Sequence, residues 1–501
     1  MNQALRVDKG RAAWKRKAVI RASMMRDMRK AQKRMEHRAQ QREEVLLSRI
    51  TEFERELASL RTAPAPAPPG VIALGDANAV RVLCVLLVIQ AVIPFRAAPR
   101  CYQIMQPQAP WVPHFTSVIN WTFRLGLALL QGVEPITEQW IAIIDMSIDI
   151  AIKKVFVVLR VPVTALALRG SALTLEDCEV VGLKVGETWK GENVSEALGE
   201  IFEKSGKPVA ILKDGGTDLK RGVDLYRKTI EGASNVHIIE DVGHVAANAL
   251  KAEFSGLSAF KNFLKTITKG AAKLRQSAIA FLTPPKLRTK GRFMGISRLA
   301  EWAEKVTPLV GGRGRVAEGS LAADLRRLLG GGLSQHTAFL DCFIPACKVV
   351  RNFVEIAKNK GVNQESYRMM KAELAQLPEG NKIRIRLERW LGHHLHIQSR
   401  FKMGQTPLVV SSDVLESLLG KFKVVVARNV KAEFNQNVLT IPSLCGKLSA
   451  DRINKALATV SHRDLERWAA KHVADTQWQW RAAFDRGELT PETVPKPGNA
   501  K

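Results

Sequence analysis

Gln139-Trp-Ile-Ala-Ile-Ile-Asp145 is the stretch on which the reading of this chain turns. Five apolar residues run without a polar interruption and close on a carboxylate, a pattern expected of a short strand buried on both faces. Working outward, Lys154 to Val161 (KVFVVLRV) reads as a second strand and Cys178 to Val185 (CEVVGLKV) as a third. The pattern then alternates: helix Val194 to Ser205, strand Pro208 to Lys213, helix Leu219 to Glu231, strand Asn235 to Glu240, and a long helix from Val242. Three strands that can be joined as hairpins, followed by alternating helix and parallel strand, predict a mixed α/β sheet.

Upstream of the sheet, Asp76 to Gln131 reads as three helices, about Asn78–Gln90, Phe95–Met105 and Pro113–Gln131. Basic side chains on the second and third (Arg96, Arg100, Arg124) suit a helix-turn-helix whose last helix enters the major groove. Before it lies APAPAPPG, residues 63 to 70, a semi-rigid proline spacer. Residues 1–62 form a charged segment crowded with Arg and Lys, in which Leu46, Ile50, Phe53, Leu57 and Leu60 alternate by four and three as in a short coiled-coil seam. Downstream, residues about 255 to 405 lose the strand signal and read as helices broken at Thr283-Pro-Pro-Lys, Gly311–Gly314, Gly330–Gly332 and Pro378–Gly380. So long a stretch cannot be a loop and is expected to be an inserted helical domain. The expected organisation is therefore a basic helix and coiled coil (1–62), a linker (63–75), a helix-turn-helix-like domain (76–135), the first part of a catalytic core (136–255), a helical insertion (256–405), the final part of the core (406–430) and a helical C-terminal region (431–501).

The 501 residues carry 76 Lys and Arg against 48 Asp and Glu, a formal charge of +28. Such a field attracts polyanions, nucleic acid first and anionic lipid second, since each phosphate neutralised releases condensed counterions. The longest apolar run, Val82 to Val92, is about half the length of a spanning helix and reads as a buried helix, with no membrane role. The N-terminus has no secretory signal pattern, so a cytoplasmic, nucleoid-associated location is expected. Six cysteines without a CxxC pair read as reduced core thiols.

Phosphoryl transfer assisted by two divalent ions needs carboxylates that converge on one point, because the ions clamp both the attacking and the leaving oxygen. Asp145 ends the first strand, and Asp214 ends Pro208-Val-Ala-Ile-Leu-Lys-Asp214 ahead of Gly215-Gly216, where backbone and phosphate can approach closely. Neighbouring strands lie about 4.8 Å apart, so acids at adjacent strand ends can share an ion. A third acid should come from a helix beside them. Glu416 in Ser411-Ser-Asp-Val-Leu-Glu416 meets that demand, with Ser412 or Asp413 as helix cap. Asp149, four residues after Asp145, is an alternative first acid, and Asp218, Asp241 and Asp413 lie nearby.

With Ile144-Asp145, Lys213-Asp214-Gly-Gly, Asp241-Val-Gly-His244 and Ser411-Ser-Asp-Val-Leu-Glu416 in this order, the chain resembles bacterial insertion-sequence DDE transposases over roughly residues 76 to 425. The resemblance implies a ribonuclease-H-like fold interrupted by a large helical insertion, which the 202-residue interval from Asp214 to Glu416 would accommodate. It implies Asp145, Asp214 and Glu416 as catalytic residues and ligands of Mg2+ or Mn2+, two ions per site, and a basic residue after the acid, here Lys421. The activity implied is cleavage at transposon ends and transfer of the freed 3′-hydroxyl into target DNA, by a homo-oligomer assembled on double-stranded DNA. Two other readings use the same features: a non-catalytic DNA-binding or chromatin-organising protein, and a ribonuclease-H-like nuclease that cuts without joining.

Lesser signals are Lys286, Arg288, Lys290 and Arg292, an alternating basic stretch suited to a phosphate track. Asp241 and His244 open a helix as caps, phosphate contacts or supports for the acids. His393, His394 and His396 lack a nearby fourth ligand and read as solvated or phosphate-contacting rather than zinc-binding. Trp302 reads as a core residue, with stacking on an unpaired base as the alternative.

Overall fold

A computed structural model describes residues 76–146, 153–169, 171–287, 292–311, 321–329, 333–401, 404–426, 434–473 and 476–488. The expected basic coiled coil and linker (1–75), Asp149, Arg288 and Lys290 lie outside the described residues, as does the side chain of Arg292.

Three helices come first: α1 (Ala77–Ile89), α2 (Ala98–Met105) and α3 (Phe115–Gln131). The sheet region follows as β1 (Trp140–Met146), β2 (Lys154–Pro162), α4 (Val163–Arg169), β3 (Glu179–Gly186), α5 (Gly191–Ser205), β4 (Ala210–Lys213), α6 (Thr217–Thr229), β5 (His237–Glu240) and α7 (Val242–Phe254). The helical stretch is α8 (Ser258–Arg275), α9 (Ile296–Gly311), α10 (Leu321–Leu329), α11 (Thr337–Lys360), α12 (Gln364–Leu374) and α13 (Lys382–Arg400). Then come α14 (Asp413–Val426), α15 (Thr440–Ser443), α16 (Ala450–Thr459), α17 (His462–His472) and α18 (Gln477–Asp485).

The strands form one five-stranded mixed sheet in the order β3-β2-β1-β4-β5. β2 runs antiparallel to both β1 and β3, while β1, β4 and β5 are parallel. This matches the expected mixed α/β sheet and is consistent with a ribonuclease-H-like arrangement. Both faces are covered, so the strand sequences are nearly continuous apolar runs rather than alternating ones. On one face Trp140, Ala142, Ile144, Phe156, Val158 and Ile211 pack under α5 and α6 through Val194, Leu198, Ile201, Leu219, Val223 and Tyr226. On the other, Ile141, Ile143, Leu212 and Ile239 share a core with α7, α11, α13 and α14. At about 1.5–3 kcal/mol per fully buried aliphatic or aromatic side chain, these two layers are the main source of cohesion. The one charged side chain buried in mid-strand, Arg160, is satisfied by Glu179 and by the Glu134 carbonyl at 2.7 Å, with its guanidinium 5.9 Å from the Trp140 ring centroid.

Two expectations about DNA contacts are corrected here. α3 was expected to enter a groove, yet only Thr116 and Gln131, at its ends, are exposed. α15 and α16 pack against it, and a Cβ on Gly126 would stand 1.6 Å from the Leu439 carbonyl oxygen, so the backbones cross almost in contact. Arg124 is used inside the fold: its Nε donates to the Val460 carbonyl at 2.6 Å and its Nη2 to that of Leu457. It thus satisfies carbonyls left open at the C-terminus of α16. Arg96 and Arg100 are exposed, Arg96 lying 4.3 Å from the Phe115 ring centroid. The segments 76–135 and 431–501, remote in sequence, share one core through residues such as Val118, Leu125, Val438, Leu439 and Ile453.

All six cysteines are free thiols, four of them buried. Among the described residues no helix is long and apolar enough to cross a membrane. The apolar run from Val82 is instead the buried side of α1.

Candidate active site

The parallel strands β1, β4 and β5 point the same way, so their carboxyl ends share one edge of the sheet. Register makes this specific: Ile144 lies opposite Lys213, and Lys213 opposite Glu240. The next residue on each strand is Asp145, Asp214 and Asp241 in turn, and the Asp241 amide extends the ladder by donating to the Lys213 carbonyl at 3.0 Å. Alternation then settles the face. Ile141 and Ile143, Ala210 and Leu212, and Ile239 belong to the core shared with α14, and the three aspartates continue those positions two residues on. α14 packs against β1 with Val414, Leu415 and Leu418 in that core, and it carries Glu416.

Asp145 and Asp214 are each held by one backbone amide, and Asp241 by four donors. Asp145 Oδ1 accepts from the Met146 amide at 2.7 Å, and Asp214 Oδ1 from the Gly216 amide at 2.8 Å. A Cβ on Gly216 would stand 2.9 Å from that same Asp214 oxygen, so the second glycine of the turn makes room for the carboxylate itself. Asp241 is 4% exposed and caps α7. Its Oδ1 accepts from the His244 amide at 2.9 Å and from His244 Nδ1 at 3.0 Å, and its Oδ2 from the Ser412 amide at 2.9 Å and the Ser412 hydroxyl at 3.1 Å. A carboxylate offers only acceptors, so His244 carries a proton on Nδ1. Burial alone would push Asp241 upward, but the bonds from His244 and Ser412 outweigh it and hold it below the usual carboxylate range. The same pairing raises His244, whose Nε2 lies 3.9 Å from Asp214 Oδ2. The Val242 amide donates to the Val410 carbonyl at 2.9 Å, a second stitch between the α7 terminus and the segment entering α14. Asp241 therefore ties the helix of Glu416 to the sheet end.

Asp145 behaves in the opposite way. Burial first, then the neighbouring Asp214, with a further push from Glu416, lifts its carboxyl to about 7. Glu416 is also raised, by burial and then by Asp413 and Asp241. Asp145 thus feels both Asp214 and Glu416, while the carboxylates acting most on Glu416 are Asp413 and Asp241. Among the described residues, no three His, Cys, Asp or Glu groups stand close enough to form a ready metal site. Asp413 pairs with Lys358 at 2.6 Å, Asp218 is exposed in the first turn of α6, and neither belongs to the row of strand-end acids.

Ser412, expected with Asp413 as a candidate cap, stands in the N-cap position of α14, its carbonyl accepting from the Glu416 amide at 3.2 Å while its own amide and hydroxyl donate to Asp241. Lys421, expected as the basic, DNA-contacting residue after the acid, lies five residues on, a turn of about 140° around α14 from Glu416. Burial lowers its pKa, and Glu176 opposes that shift. His394 is a buried strap: Nε2 accepts from the Glu240 amide at 3.0 Å, Nδ1 donates to the Trp390 carbonyl at 2.7 Å, and Trp390 Nε1 donates to the Glu240 carbonyl at 3.1 Å. Two side chains of α13 thereby satisfy the backbone of edge strand β5 one residue before Asp241. Burial drives His394 down to about 3, which keeps it neutral and able to accept. His393 and His396 are exposed. Trp302 is half-buried and donates to the Leu282 carbonyl at 2.7 Å, in keeping with a core role. Lys286 is exposed at a groove of about 520 Å³ that it lines with Lys265, Lys269 and Arg275. Sequence reading missed the strap and the Asp241–Ser412 link, and the only available signal was a polar residue at each helix entry.

No family model matches this chain, and no curated protein is similar to it. Among solved structures it is similar to the Drosophila P element transposase strand transfer complex, at 12% identity and a TM-score of 0.41, over 81% of this chain and 99% of that one. So remote a likeness decides nothing about chemistry.

Proposed function

We propose that this chain is a metal-dependent DNA phosphodiester-processing enzyme of the DDE transposase type, with Asp145, Asp214 and Glu416 as its catalytic acids. The observation that carries this reading is the row of strand-end aspartates on one face, met by an acid from α14, in which Asp145 is pushed up to about 7. Carboxylates gathered so closely that one of them is raised in spite of a nearby imidazole are what a cation site looks like from the side of its ligands.

The proposed donors are of the kind that Mg2+ or Mn2+ selects, and an ion would have to draw them together. All donors are oxygens, as hard ions require. One oxygen each of Asp145 and Asp214 is held by a backbone amide, and their second oxygens and the Glu416 carboxylate accept no hydrogen bond from a described residue. When bound, two such ions supply charge neutralisation for the attacking and leaving oxygens and make water a stronger acid. The chain's own residues hold the geometry. Asp241 fixes α14 through Ser412 and so sets the reach of Glu416, while His244, fixed by Asp241, directs Nε2 towards Asp214. The net charge of +28 suits a DNA substrate.

Nicking of supercoiled plasmid in Mg2+ or Mn2+ tests the reading. Asp145→Asn, Asp214→Asn and Glu416→Gln are each expected to reduce cleavage by a factor of about 100 or more while DNA binding persists. Retained cleavage in Glu416→Gln would reject that residue. Assaying for joined as well as cut product separates a transposase from a nuclease that only cuts, and absence of metal-dependent nicking would favour a purely DNA-binding protein.

A further inference from the structure

Beside the acids, a cleft of about 530 Å³ opens between α13, the start of α6 and the first turns of α7. Its lining is divided. Asp214, Glu240 and Asp241 stand on the sheet side, while Arg386, Arg389 and His393 stand on α13 and Lys220 on α6. Positions 386, 389 and 393 follow the helical spacing of three and four, so these cations share one stripe of α13. All three are exposed, and Arg386 donates to the Asn248 carbonyl at 3.3 Å. Arg389, His393 and Lys220 have no side-chain hydrogen bond or ion pair with a described residue.

The floor supplies the second observation. Lys213, also in the lining, is 2% exposed. Its ammonium donates to the neutral Asp214 carbonyl at 3.2 Å and forms no ion pair with a described carboxylate. Glu240 and Asp214 attract it from beyond ion-pair distance, which leaves room for an anion that pairs with this buried ammonium directly. The volume falls within the roughly 300–1,000 Å³ of small-ligand pockets, and Trp390 gives it an apolar wall.

We propose that this cleft is a phosphate subsite that takes either a backbone phosphate of a DNA strand or the phosphate of a free nucleotide, held by Arg386, Arg389 and Lys213. As a subsite next to the scissile bond it rests on the reading of the neighbouring acids given above. As an anion site it rests only on its own cations. α13 then has two tasks: its buried side straps β5 through His394 and Trp390, and its exposed side holds phosphate.

The full chain in EDTA, where no turnover can occur, is titrated against a fluorescein-labelled 20-nucleotide single strand at several salt concentrations. Arg386→Ala/Arg389→Ala is expected to weaken binding about tenfold and to lower the slope of log K against log salt by about one. A control pair of equal charge on exposed positions elsewhere, Lys455→Ala/Lys471→Ala, should change affinity less than twofold. If strand binding is unchanged but millimolar inorganic phosphate raises the melting temperature of the parent and not of the Arg386/Arg389 pair, the ligand is a free phosphate or nucleotide. Unchanged strand binding with no stabilisation by phosphate overturns the proposal, as does an equal loss in the control pair. The EDTA titration reads strand binding alone and Mg2+-dependent nicking reads the acids, so loss of the catalytic reading and loss of this one remain distinguishable.

Discussion

At the carboxyl ends of β1, β4 and β5 three aspartates occupy successive strand ends, whereas at the crossing of α3 over residues 436–443 the chain brings backbone against backbone around Gly126. At the crossing, most polar groups are satisfied at short range: Thr122 donates to the Val118 carbonyl at 2.8 Å, Ser443 to that of Thr440 at 2.7 Å, and Arg124 closes the end of α16, while the buried Thr440 hydroxyl has no hydrogen-bond partner among the described residues. At the strand ends Asp145 and Glu416 are raised, first by burial and then by repulsion from neighbouring carboxylates. One region is built for cohesion. The other holds a local instability that the surrounding core must absorb.

The difference can be broken from either side. The largest effect is expected at the crossing, where Gly126→Ala drives a methyl into the Leu439 carbonyl. Overpacking commonly costs about 1–3 kcal/mol, and a clash with backbone cannot be relieved by a rotamer change, so a loss of about 3 kcal/mol or more is expected in urea denaturation. A variant within about 1 kcal/mol of the parent would show that the two segments separate easily. An intermediate effect is expected at Asp241, which belongs to both regimes because it is buried, fully bonded and adjacent to the acids. Asp241→Asn places amide hydrogens against donors on His244 or Ser412, a cost of about 2–3 kcal/mol. If Asp241 also positions Glu416, kcat falls at saturating DNA while DNA affinity stays near that of the parent. A fall in affinity with kcat unchanged would contradict the positioning role.

The same contrast explains what could be read from the sequence. β1 was expected from Gln139 to Asp145 and runs Trp140–Met146, and β4 ends on Lys213 as expected, because uninterrupted apolar runs and glycine turns are local signals. The three N-terminal helices likewise lie close to their expected bounds. Asp145 and Asp214 were visible as strand ends. That Asp241 continues the same row was not, since it depends on the register of β4 against β5. The misplacements were tertiary. Arg124 on a helix looked like a free cation because nothing near it in sequence reveals the carbonyls of residues 457 and 460. Lys421 followed Glu416 at a spacing that helical geometry turns away from the acids. The HHLH run gave no hint that His394 accepts from a backbone amide 154 positions away.

The smallest effect in this series has the opposite sign. Asp145 has a folded-state value of about 7 against 3.8 for an unperturbed group. Between those limits the unfolded chain has released the proton and the folded chain has not, so the folded state loses stability as pH rises from about 4 to about 7 and the loss is complete above 7. Asp145→Asn removes the titration. It should therefore melt like the parent near pH 4 and be more stable by about 1–2 kcal/mol at pH 8 without divalent ions, once relaxation of the half-exposed surroundings is allowed for. Mg2+ should raise the melting temperature of the parent at pH 8 and leave the variant nearly unmoved, because the cation relieves the same repulsion. A variant less stable than the parent at pH 8 would mean that the Asp145 carboxylate stabilises the fold, and the strand ends would then be a cohesive region like the crossing of α3.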